Sequence, residues 1–262
     1  MMPITLALMA LALPPAASTP IAAQDLLLRV GRTTDVFGKT LQAVSCVETV
    51  LQTKLGKDGK VVYRQQSVFD YLTVIQLTPD DVVIDESRAL IGTPETKSKT
   101  DDNKVSLMIT NGFPAFEFIF HPLYQNSFEY STPELVEVES KRMLFVRFRQ
   151  IHGARSPSVL KLKSRAYPLE WEGSAWLDPQ TYGIVRISAA LEGSLVEIGL
   201  NALTADVRYA PVHFSDNTRL HLLPAVATIE AETPHQHWRN THTFTKYRQF
   251  TVDVKTEMGA PK

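Results

Sequence analysis

The stretch LEWEGSAWLDPQTYGIVRISAAL, Leu169 to Leu191, alternates in polarity on both sides of a single break. In its first arm Leu169, Trp171, Gly173, Ala175 and Leu177 fall on one face, and Glu170, Glu172, Ser174 and Trp176 on the other. In its second arm Val185, Ile187, Ala189 and Leu191 lie opposite Arg186 and Ser188. Side chains of a strand point alternately to the two faces of a sheet, so two runs of period two around a break predict a β-hairpin. The break, Asp178 to Gly183, has turn chemistry. Pro179 presets φ, Asp178 can accept from the amides that follow it, and Gly183 can take a positive φ. Keeping the apolar faces together sets Leu177 against Val185, Ala175 against Ile187 and Trp171 against Leu191. Trp176 then lies across from Arg186 on the outer face as a stacking pair. Any amphipathic hairpin would show this pattern, so it speaks to fold and not to chemistry.

Outward from the hairpin the chain is mostly strand. Towards the N-terminus, Leu26, Leu27, Val30, Phe37, Leu41 and Val44 recur at helical spacing, which predicts a helix over Asp25 to Val44, capped by Asp25 and weakened by Gly31 and Gly38. In the strand Val47 to Leu55, Val47, Thr49 and Leu51 alternate with Glu48, Gln52 and Lys54, which assigns the last three to a wet face. Gly56 to Lys60 closes a hairpin onto a strand over Val61 to Leu77, and Val82 to Leu90 is a further strand. Gly92 to Lys104 is a polar loop by composition. Val105 to Tyr130 is aromatic but broken by Asn111-Gly112, Pro114 and Pro122, with a short helix first and Phe116 to Phe120 as a strand turn. Leu135 to Glu139 and Met143 to Ile151 are strands around a Ser140-Lys141-Arg142 turn, and His152 to Lys163 is a loop. Leu203 to Val212, Leu220 to Glu232 and His242 to Val254 complete the strands, with His235 to Thr241 as the loop before the last. So many antiparallel strands with one or two helices predict a mostly β (α+β) fold. The long sheet is expected to be curled around something: a flat one would leave an apolar face in water, so it must curl, pair or take helices into its concavity.

The 262 residues are 44% hydrophobic and 21% charged with a net charge of −1, which gives no basic surface for nucleic acid and no acidic tail. A single cysteine, Cys46, excludes an intramolecular disulfide and a cysteine-based zinc site. Met1 to Ala23 carries no charge, and its apolar run Ile4 to Leu13 is followed by small residues and by Pro14, Pro15 and Pro20. That run is too short to cross a bilayer and matches the core of a secretory signal cut after Ala17 or Ala23. It lacks the Lys or Arg of a signal's first residues, and no cysteine follows it to take a lipid anchor. The expected organisation is therefore a signal peptide over 1–23 and a single domain over 24–262, exported to the periplasm or secreted.

Signatures of catalysis are missing. The chain contains no GxSxG, P-loop, GxGxxG or HExxH pattern. Cys46, beside Val47 at a strand start, fits a small buried residue better than a nucleophile. His235, His237 and His242, with Glu230 or Glu232 nearby, offer ligand-type donors, but His242 has the opposite strand parity to the other two. Glu170 and Glu172 share a wet strand face. No catalytic residue, metal or cofactor is assigned. The aromatics carry more information: Phe116, Phe118, Phe120, Tyr124, Phe128, Phe148 and Trp171 either pack a core or wall an apolar pocket. An acyl chain burying about ten methylenes would gain about 8 kcal/mol before ordering costs, which corresponds to roughly micromolar binding. Strand parity assigns Phe116, Phe118, Phe120, Leu144, Val146, Phe148, Trp171, Val185 and Ile187 to such a pocket.

The residues Gly173-Ser174-Ala175-Trp176-Leu177-Asp178-Pro179-Gln180-Thr181 and Gly183-Ile184-Val185-Arg186-Ile187, with the order of elements before them, resemble the hairpin of the periplasmic lipoprotein-carrier superfamily, the LolA/LolB-like proteins. This chain inserts Tyr182 where that family's turn passes directly from Thr to Gly. The resemblance implies a half-barrel over helices, an apolar cavity for acyl chains, no catalysis and no particular cargo. The expected function is an exported carrier for a lipid or lipoprotein acyl chain, with an envelope protein as a further partner, no nucleic acid and no membrane span. The alternatives are an envelope scaffold with a solid core and a secreted, His-ligated metal-dependent hydrolase.

Overall fold

The computed structural model describes residues 22–41, 44–98, 108, 110, 112–162, 165–214 and 220–249. The expected signal segment before residue 22, the end of the polar loop at 99–104 and the Val252 and Val254 positions lie outside them. Helix α1, Ala23–Leu41, buries Leu26, Val30, Thr34, Phe37 and Leu41 along one stripe. Asp25 does not cap it; it sits in the first turn and pairs with Arg29 at 2.9 Å. Gly31 and Gly38 let the helix approach its neighbours closely. A Cβ on Gly31 would lie 2.9 Å from Gln125 Nε2, and one on Gly38 would lie 3.2 Å from the Phe118 ring. Close packing here offsets the helix cost of glycine.

Val44, expected at the helix end, opens strand β1, Val44–Leu55. β2 is Val61–Leu77, as the periodicity predicts. β3 runs over Val82–Ser98, so Gly92 to Ser98 is strand, its polarity accounted for by an exposed position at the sheet edge. Phe113–Phe120 is a 3-10 helix and not a strand, entered through Gly112 at φ 85° with Pro114 in its first turn. All eight of its residues are buried, because the sheet and α1 cover it from different sides. β4, Phe128–Tyr130, and β5, Glu134–Val138, precede β6, Lys141–Gln150. The β5–β6 turn is made by Glu139 and Ser140, both at positive φ. The expected loop after β6 instead holds a small ribbon of β7, Val159–Leu162, and β8, Arg165–Pro168. β9, Trp171–Leu177, and β10, Ile184–Leu191, are the hairpin. β11, Ala202–His213, β12, Leu220–Glu232, and β13, His237–Gln249, follow, so the last strand starts five residues before the expected His242.

These strands form one antiparallel sheet in the order β3-β2-β1-β13-β12-β11-β10-β9-β6-β4, with β5 also on β6. It does not close: β3 lies at one end and β4 with β5 at the other. α1 and the 3-10 helix pack on the same side of the sheet, which curls around them. The expected mostly β, half-barrel architecture is therefore the one observed.

The hairpin register holds for Trp171–Leu191, Ala175–Ile187 and Trp176–Arg186, and the Arg186 guanidinium lies 4.7 Å from the Trp176 ring centre. It differs at the turn end. Leu177 pairs with Ile184, and Val185 is squeezed out as a bulge, so that Ile184 and Ile187 are both buried while Arg186 stays outside. Asp178 Oδ1 accepts from the amides of Gln180 and Thr181, as expected. The positive φ, however, belongs to the inserted Tyr182 (59°) and not to Gly183. Gly183 is needed for a close approach: a Cβ there would lie 2.5 Å from Leu222 Cδ1.

Candidate functional site

Two places on the concave side carry polar groups among apolar ones. The first is a cleft of about 560 Å³ between α1, the turn end of the β9–β10 hairpin and the neighbouring parts of β11 and β12. Val36 and Phe37 line it from the helix, Ile184 and Val185 from the hairpin, and Leu222 and Leu223 from β12. That volume falls within the range of small-ligand pockets. Lys141 and Arg142, both exposed at the start of β6, bring two positive charges to it against the one negative charge of Asp178 at the turn.

Two polar side chains belong to the cleft wall and find no hydrogen-bond partner among the described residues at Glu117 Oε2 and at the Tyr209 hydroxyl. Glu117 is the one acid in Phe113–Phe120 and is 4% exposed. Tyr209 is 5% exposed, with its ring edge-on to Phe37. Burial pushes the Glu117 carboxyl well above the usual carboxylate range, which favours the protonated form, a group that can both donate and accept. Burial also raises the Tyr209 hydroxyl, and a charge on the nearby Glu117 would raise it further.

An unpaired polar group held inside a protein costs about 1–3 kcal/mol. Glu117→Leu is therefore expected to stabilise the fold by about that much. Because the folded-state pKa is raised, the native state holds its proton after the unfolded chain has lost it. Stability is thus lost as pH rises from the ordinary carboxylate value towards the folded one. The gain in the variant should be larger at about pH 8 than at about pH 5, as read from urea midpoints.

The second place is a buried ionic network under β13, β1, β2 and β3. Here the sequence parity was inverted: Glu48 and Gln52, assigned to the wet face of β1, point inward with Val44, Cys46 and Val50. Their burial is tolerated because each is partnered. Glu48 meets Arg88 Nε at 2.5 Å and His242 Nδ1 at 2.7 Å, and Gln52 donates to the Met108 carbonyl at 2.7 Å. Arg88 also reaches Glu86 at 3.4 Å and covers the Tyr71 ring. Glu86 accepts from the Tyr71 hydroxyl and from the Gly112 amide at 2.8 and 2.9 Å. His242 Nε2 lies 2.6 Å from Thr110 Oγ1. Burial lowers the His242 pKa, which fits a neutral ring that donates from Nδ1 to Glu48 and accepts from Thr110.

Carboxylate, imidazole and hydroxyl are thus aligned as in a nucleophile relay. Yet Asn240 Nδ2 also occupies Thr110 Oγ1 at 3.2 Å, and His242 is 2% exposed. None of these residues lines the cleft. The network fastens Thr110 and Gly112, just ahead of the 3-10 helix, onto the sheet.

Of the residues assigned to a pocket, Val185 lines the cleft. Phe116, Phe118, Phe120, Leu144, Val146, Phe148, Trp171 and Ile187 are buried in the core behind it, where Phe118 meets Phe37 and Phe116 meets Trp171. The histidines are not brought together. His235 is exposed in a turn, His237 pairs with Glu230 at 2.5 Å, and His242 belongs to the buried network. Among the described residues no three His, Cys, Asp or Glu converge on a metal-sized point. Sequence reasoning missed Glu117, Tyr209 and Arg88. The signal for Glu117 was available, as a lone acid inside FPAFEFIF. Nothing local marks Tyr209 or Arg88.

No protein-family model matches the chain, and no curated protein does. Among solved structures, it is similar to a DUF1329 family protein from Desulfovibrio piger, with 10% identity and a TM-score of 0.40 over 90% of this chain and 92% of that one. It is also similar to a domain described as an outer membrane lipoprotein-sorting protein from Vibrio parahaemolyticus, with 10% identity and a TM-score of 0.36 over 87% of this chain and 94% of that one. No helix among the described residues is long and apolar enough to cross a membrane.

Proposed function

We propose that the protein is an exported, non-catalytic binding protein that takes the hydrocarbon part of a lipid, or of a lipoprotein acyl chain, into the cleft between α1 and the hairpin. The observation that carries this reading is the cleft itself. The interior of the sheet is otherwise packed with aromatic side chains, yet about 560 Å³ stays open beside Val36, Val185 and Leu222. A hydrocarbon placed there trades water for apolar wall, at about 0.8 kcal/mol per buried methylene before ordering costs. Phe118 meets Phe37, one of the lining side chains, and so backs the cleft without having to touch a ligand. Release requires that the same contacts be undone, which suits a site of moderate size.

Plugging tests it. Val36→Trp from the helix side and Val185→Trp from the sheet side are each expected to weaken binding of the environment-sensitive dye N-phenylnaphthylamine by at least about tenfold, a change of about 1.4 kcal/mol. Folding of each variant is checked by near-UV circular dichroism. A wild-type protein that binds neither the dye nor a medium-chain lipid, or plugged variants that bind as well as wild type, would remove the reading. The scaffold alternative has its own support in the edge strand β3, where Val83, Leu90 and Ile91 are exposed. It would be favoured by capture of an envelope protein that the plugged variants still perform.

A further inference from the structure

We infer that the cleft recognises an uncharged hydrogen-bonding group, a hydroxyl or carbonyl carried on an otherwise apolar ligand, through Glu117 and Tyr209. This rests on the binding reading above and narrows it to a class of ligand.

The argument starts from what the sequence tolerates. An acid in the middle of FPAFEFIF, on a 3-10 helix buried on every side, is costly unless something is gained. Every other buried acid of the concave side has partners: Glu48 has Arg88 and His242, and Glu86 has Tyr71, Arg88 and the Gly112 amide. Glu117 Oε2 alone among these carboxylate atoms has none among the described residues, and the same is true of the Tyr209 hydroxyl. The two come from different elements, the 3-10 helix and β11, and meet in the wall of one cleft. Two buried, unpartnered polar groups that share one cleft are matched by a ligand's polar group better than by chance packing.

The chemistry of the pair selects the ligand. A neutral carboxyl and a phenol each donate one hydrogen and accept another, so together they suit a hydroxyl or a carbonyl. They do not suit an ion. An ion of either sign would have to be stripped of water beside Phe37 and Leu223, with no opposite charge at the pair to offset the cost. A ligand's charged end belongs instead at Lys141 and Arg142 on the rim.

The test is displacement of N-phenylnaphthylamine by n-decanol, n-decane and decanoate, from wild type, Glu117→Leu and Tyr209→Phe. Glu117→Leu is expected to weaken n-decanol about tenfold relative to n-decane, with Tyr209→Phe acting in the same direction. The readout is the ratio of n-decanol to n-decane affinity within each variant, so a general change in dye affinity cancels. An unchanged ratio of n-decanol to n-decane, or an equal loss for all competitors, overturns the inference while leaving the binding reading intact. If wild type binds neither dye nor any competitor, the binding reading falls and takes this one with it.

Discussion

Arg88→Met is expected to cost about 3–5 kcal/mol of stability, a large share of the roughly 5–15 kcal/mol that holds an ordinary domain together. The side chain of Glu48 is fully buried, that of Glu86 is 3% exposed, and the single guanidinium of Arg88 stands between them. Methionine keeps the apolar stem but leaves two carboxylates in the interior without their cation. Glu48 would retain His242, and Glu86 would retain the Tyr71 hydroxyl and the Gly112 amide. Burial by itself would raise the Glu48 pKa. Hydrogen bonds from His242 and Arg88 and the charge of the guanidinium more than offset that, so the carboxyl sits below its ordinary value. A depressed folded pKa means stability that is present above the unfolded value and lost as pH falls through the folded one. The gap between wild type and Arg88→Met should therefore be widest near neutrality and narrow towards about pH 4. A gap that stays constant over that range would mean the loss is one of packing and not of charge. Adding Glu48→Leu to Arg88→Met should restore part of the loss, since an apolar pair of similar volume removes the stranded charge.

The consequence for the cleft is positional. Gly112, fastened to Glu86, is the entry to the 3-10 helix that carries Glu117. A slack network would loosen that entry, and with it the anchoring of the helix that carries Glu117.

What could be read from the sequence followed from periodicity, and what could not depended on pairing at long range. The strands Val61 to Leu77 and Leu220 to Glu232 were legible to the residue because alternation is a local property. The face assignment of β1 failed for the opposite reason. Hydropathy put Glu48 and Gln52 in water, but their partners Arg88 and Met108 lie 40 and 56 residues away. The turn at Tyr182 was misjudged because glycine is the usual residue at positive φ. Here Gly183 is required beside Leu222, so the left-handed position falls to its neighbour. Of the cleft, only Val185 was legible, because a cleft is formed where elements distant in the chain leave space between them. The aromatic residues announced a large apolar interior, but their parity could not say which of them face a void.

Gly173→Ala is expected to destabilise the protein by about 3 kcal/mol, the upper end of the usual overpacking range, and Gly173→Val to prevent folding. The reason lies in the crossing of the strands. Gly173 sits in the middle of β9 with Ala189 of β10 on one side and Phe148 of β6 on the other. A Cβ there would lie 2.2 Å from the Ser188 carbonyl oxygen, 2.9 Å from Ala189 Cα and 2.8 Å from the Phe148 ring. Two of those three obstacles are backbone, which cannot swing aside without breaking the ladder on one side of β9 or the other. Gly183 supplies the comparison inside the same hairpin. There the obstacle, at 2.5 Å, is the end of the Leu222 side chain, which can change rotamer, and so Gly183→Ala should cost much less. Both are read from denaturant midpoints at constant slope. If Gly173→Ala fell within about 0.5 kcal/mol of wild type, the range of an ordinary surface substitution, β9 would have to bend away from its partners. The hairpin could not then be the rigid side of the cleft against which α1 sets Val36 and Phe37.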